Sequence, residues 1–521
     1  MKKFDNYLPK NVSAQIDGDV ASFEVSVDEI TEIVRNLHVD KNLTLKLIDV
    51  TDERAESGCF KVWYVFGAPE DGLFIAPYIR LEKTEEFPSV TSVIHAAGNY
   101  ERKIKTFFGL TPIGNPDSRM LILHENWPDD VFPLRKEFDA HKRPAAATGI
   151  YKFQRVHGEG IYEIPVGPIH AGIIEPGHFR FSVAGESIML LEARLGYVHK
   201  GHEKLFESLN LTDQVRLSQK VSGDSSLSHS LAFCQAVEQL SGIDVPERAK
   251  YLRTIYAELE RLACHFGDIG FMMMDTGFNF GGANGSRLRE MIMRINERLT
   301  ESRFLRGVNV VGGVAKDISD EQNELLIQEL DAIMKDFKEV VDIAENRVSV
   351  LNRLKGTGPL PYDVAKDHGA VGVPARAVGV ATDARAEYPY AAYGELPLGD
   401  IPTEKTGDVY ARFRIRIREA RTASKLIQEA LTRLPKGPIA AKTTKSMLKK
   451  SAIAIGCVEG WRGEIIYFIK TDKQGQINRV AIRDPSFINW QVLGYCGQGQ
   501  IVPDFPLINK SFNLSYTGHD L

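Results

Sequence analysis

Apolar positions divide the chain into stretches of different period. Val25, Ile30, Ile33 and Leu37 recur at helical spacing around Glu29, the stripe expected of an amphipathic helix. Residues 44–50, 60–66 and 74–81 follow as strand-like runs. A helix and then strands predict a small α+β domain over residues 1–140. Residues 141–160 are mostly polar or small with scattered glycines and read as a linker. In the second unit, residues 161–521, positions 179–183 alternate as a half-buried strand does. From Met189 the spacing turns helical, with long amphipathic segments at 247–266, 286–300, 320–352 and 409–433. Strand-rich pieces are expected near the start of this unit and around 463–482, and a long ordered loop over the Gly-, Ala- and Pro-rich residues 369–399. The fold class is α+β: a small N-terminal α+β domain, then a mainly α-helical bundle domain with small β elements.

At 521 residues the chain is too long for a single core. With 43% hydrophobic and 26% charged residues it has the balance of a soluble globular protein. A formal net charge of -5 offers no basic face for nucleic acid. No apolar run is long enough to span a bilayer, and Met1-Lys2-Lys3-Phe4-Asp5 opens no signal segment. The expectation is an intracellular protein, held at any membrane by other subunits. Cys59, Cys234, Cys264, Cys457 and Cys496 never form a Cys-x-x-Cys pair. They fit buried thiols in a reducing compartment rather than cluster ligands. Gly281-Gly282-Ala283-Asn284-Gly285 lacks phosphate-binding spacing, and no dinucleotide or P-loop fingerprint occurs. This chain is therefore expected to bind neither NAD nor ATP by the common modes.

Several short motifs stand between the periodic segments. Tyr100-Glu101-Arg102, Phe107-Phe108-Gly109, Asn115-Pro116-Asp117-Ser118-Arg119, Trp127-Pro128 and Pro133-Leu134-Arg135-Lys136 read on their own as turn and surface residues. In this order they resemble the small, cluster-free hydrophilic subunit of complex I, with Asn115 where that family usually has His. The resemblance implies a docking piece without redox chemistry. In the second unit His170, Glu175 and His178 crowd into one Gly- and Pro-rich loop, which by itself fits a solvated hairpin equally well.

Further motifs run from Gly167-Pro168-Ile169-His170 through Gly196-Tyr197-Val198-His199-Lys200-Gly201 and Gly407-Asp408-Val409-Tyr410-Ala411-Arg412 to Arg483-Asp484-Pro485-Ser486-Phe487. Residues 161–521 thereby resemble the large subunit of NiFe hydrogenases and the quinone-facing subunit of complex I. In the hydrogenases two Cys-x-x-Cys pairs hold the metals. The matching positions here are Ser222, Ser225, Ser486 and Asn489, with His229 just beyond the first pair. Hydroxyls and an amide are hard, weak donors where a bridged metal pair needs thiolates, so hydrogen activation is not expected. In complex I the vacated cavity takes the quinone headgroup, which the resemblance places beside His178. The second headgroup donor, a Tyr, falls on Gly223. Glu175 lies near the glutamate that moves protons in hydrogenases, and Asp224, Ser222 and Ser225 are placed to make a polar cavity. A histidine proton donor reloaded by a carboxylate is workable chemistry near neutral pH; serines merely hydrogen-bonded in the core are the bland alternative.

The nearest subgroup is the energy-converting-hydrogenase-related proteins, kin of formate hydrogenlyase that lack the nickel cysteines. That grouping implies a partner small subunit carrying a 4Fe-4S cluster and antiporter-like membrane subunits. It implies quinone or another acceptor as electron sink, on the cytoplasmic side of the membrane. Helix 199–207 would then face partners or solvent, and residues 501–521 remain as a packed tail. The alternative function is a structural or coupling subunit of such a complex, with a dead cavity.

Overall fold

The computed structural model describes residues 3–10, 12–171, 174–442 and 448–521. The first unit is a five-stranded sheet of β1 (Gln15–Asp17), β2 (Val20–Glu24), β3 (Thr44–Glu53), β4 (Cys59–Ala68) and β5 (Leu73–Leu81). Its order is β1-β2-β5-β4-β3, with β2 and β5 parallel and every other neighbour antiparallel. The three strand runs read from the sequence are β3, β4 and β5. The expected helix forms as α1 (Ile30–Arg35), burying Ile30 and Val34, and continues through one wider turn at Asn36–Asp40 that buries Leu37.

One expectation fails in this unit. The motifs from Tyr100 to Gly109 are not surface turns: they form α2 (Ala97–Phe108), whose Tyr100, Glu101, Arg102, Lys103, Phe107 and Phe108 are all buried. Ala97, Tyr100, Ile104, Phe107 and Phe108 form its apolar stripe at helical spacing, and buried polar side chains share the inner face. Each has its partners. Glu101 accepts from the hydroxyl of Ser89, the Val90 N–H, the hydroxyl of Thr91 and the amide of Asn115. Arg102 donates to the carbonyls of Arg119 and Met120.

The second unit opens with antiparallel strands β6 (Ile161–Val166), β7 (His178–Ala184) and β8 (Ser187–Arg194). Helical spacing from Met189 misleads there, because residues 187–194 pair with β7 as a strand. Helices follow: α3 (His202–Leu205), α4 (Ser226–Ser241), α5 (Glu247–Asp275), α6 (Asn279–Thr300), α7 (Asp320–Glu345) and α8 (Val409–Thr432). Ser319 caps α7 in a capping box with Gln322, which pins its start. The segment expected at 320–352 breaks after Asn346 into α7 and a short helix at Val348–Leu354. Residues 369–399 are ordered chain with brief helical turns at Gly372–Ala377 and Ala384–Glu387. The C-terminal part holds β9 (Ile453–Gly460), β10 (Gly463–Thr471) and β11 (Ile477–Arg483), then α9 (Pro485–Gly497), α10 (Phe505–Phe512) and α11 (Tyr516–Asp520).

The sheet β9-β10-β11 is the wall between the two units. Ala454, Val458, Ile465, Tyr467, Ile469, Val480 and Ile482 belong to the core of the second unit. The residues between them, Ile453, Ile455, Cys457, Ile466, Phe468 and Ala481, belong to the core of the first. Side chains of a strand point alternately to opposite faces, so a nearly continuous apolar run serves both cores. All five cysteines are free and buried, as the sequence predicts.

Buried charges tie the same seam. Lys46 donates to Glu464 at 2.7 Å, Arg479 to Asp49 at 2.8 Å, and Lys103 and Arg479 both reach Glu203 at 2.8 Å. Glu203 lies on α3 and is 4% exposed. In the segment 199–207 the helix is confined to α3; Glu203 and Lys204 face the first unit of their own chain, and Leu205 is exposed.

Candidate functional site

Two local structures bring the matched positions together. Ser222–Ser225 form a tight turn leading into α4, with the Ser225 N–H donating to the Ser222 carbonyl at 3.0 Å. Asp484 caps α9: its Oδ1 accepts the Ser486 N–H at 2.7 Å, a strong charge-assisted cap. Ser486 and Asn489 then lie one turn apart on α9. The tail links the two structures. The Ser515 N–H donates to Ser486 Oγ at 2.9 Å, and the Ser515 hydroxyl lies 2.9 Å from Ser222 Oγ. Asn489 points to another partner, clamping Val371 through its Oδ1 at 3.1 Å and its Nδ2 at 3.0 Å. His229 is fully buried with Nε2 3.0 Å from Asp484 Oδ2 and Nδ1 3.1 Å from the Tyr467 hydroxyl. Burial opposes ionisation of Asp484, but the His229 and Ser486 bonds and nearby Arg462 hold its carboxyl below the usual range.

Arg462 completes the cluster. It sits with Trp461 in the two-residue turn of the β9–β10 hairpin, where Gly460 pairs with Gly463. Gly463 has φ 138°, and a side chain there would come within 2.9 Å of the Gly372 backbone, so the tip seats only with glycine. From this tip Arg462 grips Asp224 through both Nη atoms at 2.7 Å. Its Nη1 also lies 3.4 Å from Ser222 Oγ and 3.5 Å from Ser225 Oγ. Its guanidinium stacks on Trp461 at 3.9 Å, and the Trp461 indole N–H donates to the Asp224 carbonyl at 3.1 Å. Burial resists charge on Asp224, yet Arg462 prevails and holds its carboxyl at about 2.

A pocket of about 420 Å³ opens onto this cluster, lined by Glu175, Ser222, Asp224, Arg462, Ser515 and Thr517 among others. Glu175 accepts the Thr517 N–H at 3.1 Å. Burial raises its carboxyl above the ordinary range, against the pull of that bond and of Lys200. The pocket thus holds two carboxyls pushed in opposite directions, Asp224 down and Glu175 up, the contrast acid–base chemistry uses.

His178 stands apart from this pocket. Its Nδ1 is 3.2 Å from the Gly167 carbonyl, Arg180 approaches its Nε2 at 3.4 Å, and its ring packs on Phe153. Burial lowers its pKa, assisted by Arg180. The structure therefore joins Ser222, Ser225 and Ser486 around Arg462 and Ser515, sets Asp224 and Glu175 in one pocket, and leaves His178 outside it.

This donor set does not fit a thiolate-bridged metal pair. Ser222 and Ser486 oxygens are engaged with Ser515 and Asp224, the Asn489 amide is taken by backbone, and a guanidinium stands among them. Two functional residues escaped the sequence reading. Arg462 had a usable signal, since Gly-Trp-Arg-Gly between two strand-like runs is a hairpin tip. Ser515 had none: it reaches the site only through the fold of the tail.

A mainly helical unit with a polar pocket at the matched positions, buttressed by a small sheet unit, accords with the resemblance of the sequence to hydrogenase- and complex I-type large subunits. Comparison with known proteins agrees. Residues 23–144 match the family "Respiratory-chain NADH dehydrogenase, 30 Kd subunit", and residues 275–455 and 450–520 match the 49 Kd subunit of the same enzyme. Formate hydrogenlyase subunit 5 of Escherichia coli (strain K12) is 34% identical over 96% of this chain and 89% of its own length. Hydrogenase-4 component G of the same organism is 33% identical over 95% of this chain and 87% of its own. A chain of the archaeal membrane-bound sulfane sulfur reductase superposes with a TM-score of 0.66 at 26% identity, covering 70% of this chain and 99% of that one. The protein belongs to the complex I and hydrogenase-related large-subunit family of membrane complexes, with the 30 Kd and 49 Kd units fused in one chain.

Proposed function

We propose that the protein is the electron-delivering large subunit of such a complex. It passes electrons from a partner's 4Fe-4S cluster to a quinone or another acceptor, coupled to ion translocation by antiporter-like membrane subunits and without a NiFe centre. The carrying observation is the pocket itself: at the four matched positions stand hydroxyls and an amide, knitted to Arg462 and Asp224. Reduction of a quinone takes two electrons from the cluster and two protons. Here Arg462 presents a cation to a carbonyl oxygen, and Glu175, its pKa raised by burial, is the carboxyl placed to relay a proton. No helix among the described residues is long and apolar enough to cross a membrane, which accords with a peripheral subunit on the cytoplasmic side held by its partners.

A coupling subunit with a dead cavity is the second reading. The saturation of Ser222, Ser486 and Asn489 by internal hydrogen bonds favours it. Acceptor reduction by the purified complex carrying Asp224→Asn separates the two. The proposal expects a loss of about tenfold or more, on the scale of one charged hydrogen-bonding group, and undiminished turnover supports the dead cavity.

A further inference from the structure

The helix α11 touches two separate cavities. Tyr516 and Thr517 line the site pocket. His519 lines a different cleft, of about 410 Å³, that opens between the two units with Arg102, Arg194 and His368 also on its walls. His519 is 3% exposed and its ring stacks on Phe487, one residue past Ser486, at 5.5 Å.

The histidine is aligned as a proton-transfer group. Its Nδ1 lies 2.8 Å from Asp520 Oδ1. The fully buried Asp520 carboxylate also accepts the N–H groups of Gly196 at 2.9 Å and Val198 at 3.1 Å. A carboxylate held by two backbone donors is an acceptor, so Nδ1 carries the hydrogen and Nε2 is left with the lone pair. Among the described residues no protein group pairs with that Nε2, and the cleft is the space beside it. Gly518, between Ser515 and the dyad, packs so closely that a side chain there would meet the Asp484 carboxylate at 2.6 Å. On the inner side the Asp520 carbonyl meets His199 Nδ1 at 2.7 Å. Lys200 comes next; its Nζ donates to the carbonyls of Lys220 at 2.8 Å and Val221 at 3.4 Å, beside Ser222, and although burial lowers its pKa the charges of Glu175 and Asp520 favour its ammonium.

We propose that the inter-unit cleft is the proton entry of the site, with His519, aligned by Asp520, as the residue that exchanges protons there. This rests on the reading of the pocket as one where an acceptor is reduced. Nε2 takes a proton from cleft water, leaving hydroxide that the bulk neutralises. The proton passes by way of Asp520 and Lys200 to Glu175 and ends on the quinone oxygen, two such transfers accompanying the two electrons from the partner's cluster. Asp484, His199, Arg102, Arg194 and His368 are among the other charged or titratable groups around this route, and His95, Asp117, Arg119 and Glu192 also line the cleft.

Two measurements test it on the full chain in its complex. Exchange of the imidazole C2 hydrogen, followed by mass spectrometry, should be about tenfold faster at His519, which lines the cleft, than at His229, whose two ring nitrogens are both engaged in the core. Equal rates overturn the proposal whatever the complex reduces. In turnover, His519→Gln should lose about 100-fold with KM little changed, the scale of a general acid–base group, and His519→Ala should be partly restored by added imidazole. Full turnover of either variant, or a loss that imidazole leaves untouched, overturns it. A wild-type complex that reduces no acceptor sinks the functional reading instead, and the exchange measurement still decides whether the cleft reaches His519.

Discussion

Arg462 holds Asp224 by two parallel hydrogen bonds of 2.7 Å, and every other element of the site is arranged around that pair. The arginine comes from a hairpin tip in the wall between the units, the aspartate from the turn before α4. Bidentate pairing fixes both direction and distance, so hairpin and turn are locked in register. Pocket shape thereby depends on how the hairpin of the wall seats against the turn before α4.

Asp224 predicts a pH response. Its folded carboxyl titrates near 2, below the ordinary value near 3.9. A depressed acid pKa stabilises the fold above the unfolded value, and the contribution fades as pH falls toward the folded one. Stability of the wild type should therefore drop between about pH 4 and pH 2 more than that of Asp224→Asn. One third of this side chain is exposed, so solvent screens part of the effect. Acid titration followed by circular dichroism checks it; parallel curves contradict it.

The seam predicts a stability loss without change of chemistry. Lys46 is 6% exposed and pairs with Glu464 at 2.7 Å. Lys46→Met leaves Glu464 with Arg483 alone, and breaking a buried pair costs about 3 kcal/mol or more. Chemical denaturation of the full chain should show it as a lowered midpoint. A midpoint equal to wild type would mean the two units do not rely on this contact.

Gly518→Ala should damage site and tail together. The added methyl would sit 2.6 Å from the Asp484 carboxylate, and overpacking of this kind costs about 1–3 kcal/mol. Loss of acceptor reduction and a lowered melting temperature should appear in one variant. An unperturbed Gly518→Ala protein would show that α11 is free to shift.

His178→Ala should leave acceptor affinity within about threefold of wild type, a difference below 1 kcal/mol. The ring packs on Phe153 and faces Gly167, outside the pocket. Binding of a short-chain quinone analogue by calorimetry measures it. Abolished binding would return His178 to the headgroup.

Much of the fold was legible because its periodic segments obey their periods. Strands β3, β4 and β5 and the long helices α5 to α8 bury the positions their patterns mark, and the strand-rich stretch around 463–482 forms part of the wall. In helix α2 the apolar residues Tyr100, Ile104, Phe107 and Phe108 stand at helical spacing, but the burial of Glu101, Arg102 and Lys103 was not legible, because sequence spacing does not reveal their partners. Motif order alone named the four matched positions, of which the fold joins Ser222, Ser225 and Ser486 and turns Asn489 to Val371. Their physical state was not legible: Ser515 and Arg462 arrive from 293 and 240 residues away in the chain, and only tertiary structure brings them.

Photoaffinity labelling of the assembled complex with a quinone analogue, mapped by peptide mass spectrometry, tests the emptied pocket most directly. The account predicts adducts in the peptides carrying Ser222–Ser225 and Ser515–Thr517, reduced by competing analogue and by Arg462→Met. Labelling confined to the His178–Phe153 region, or to partner chains alone, would contradict it.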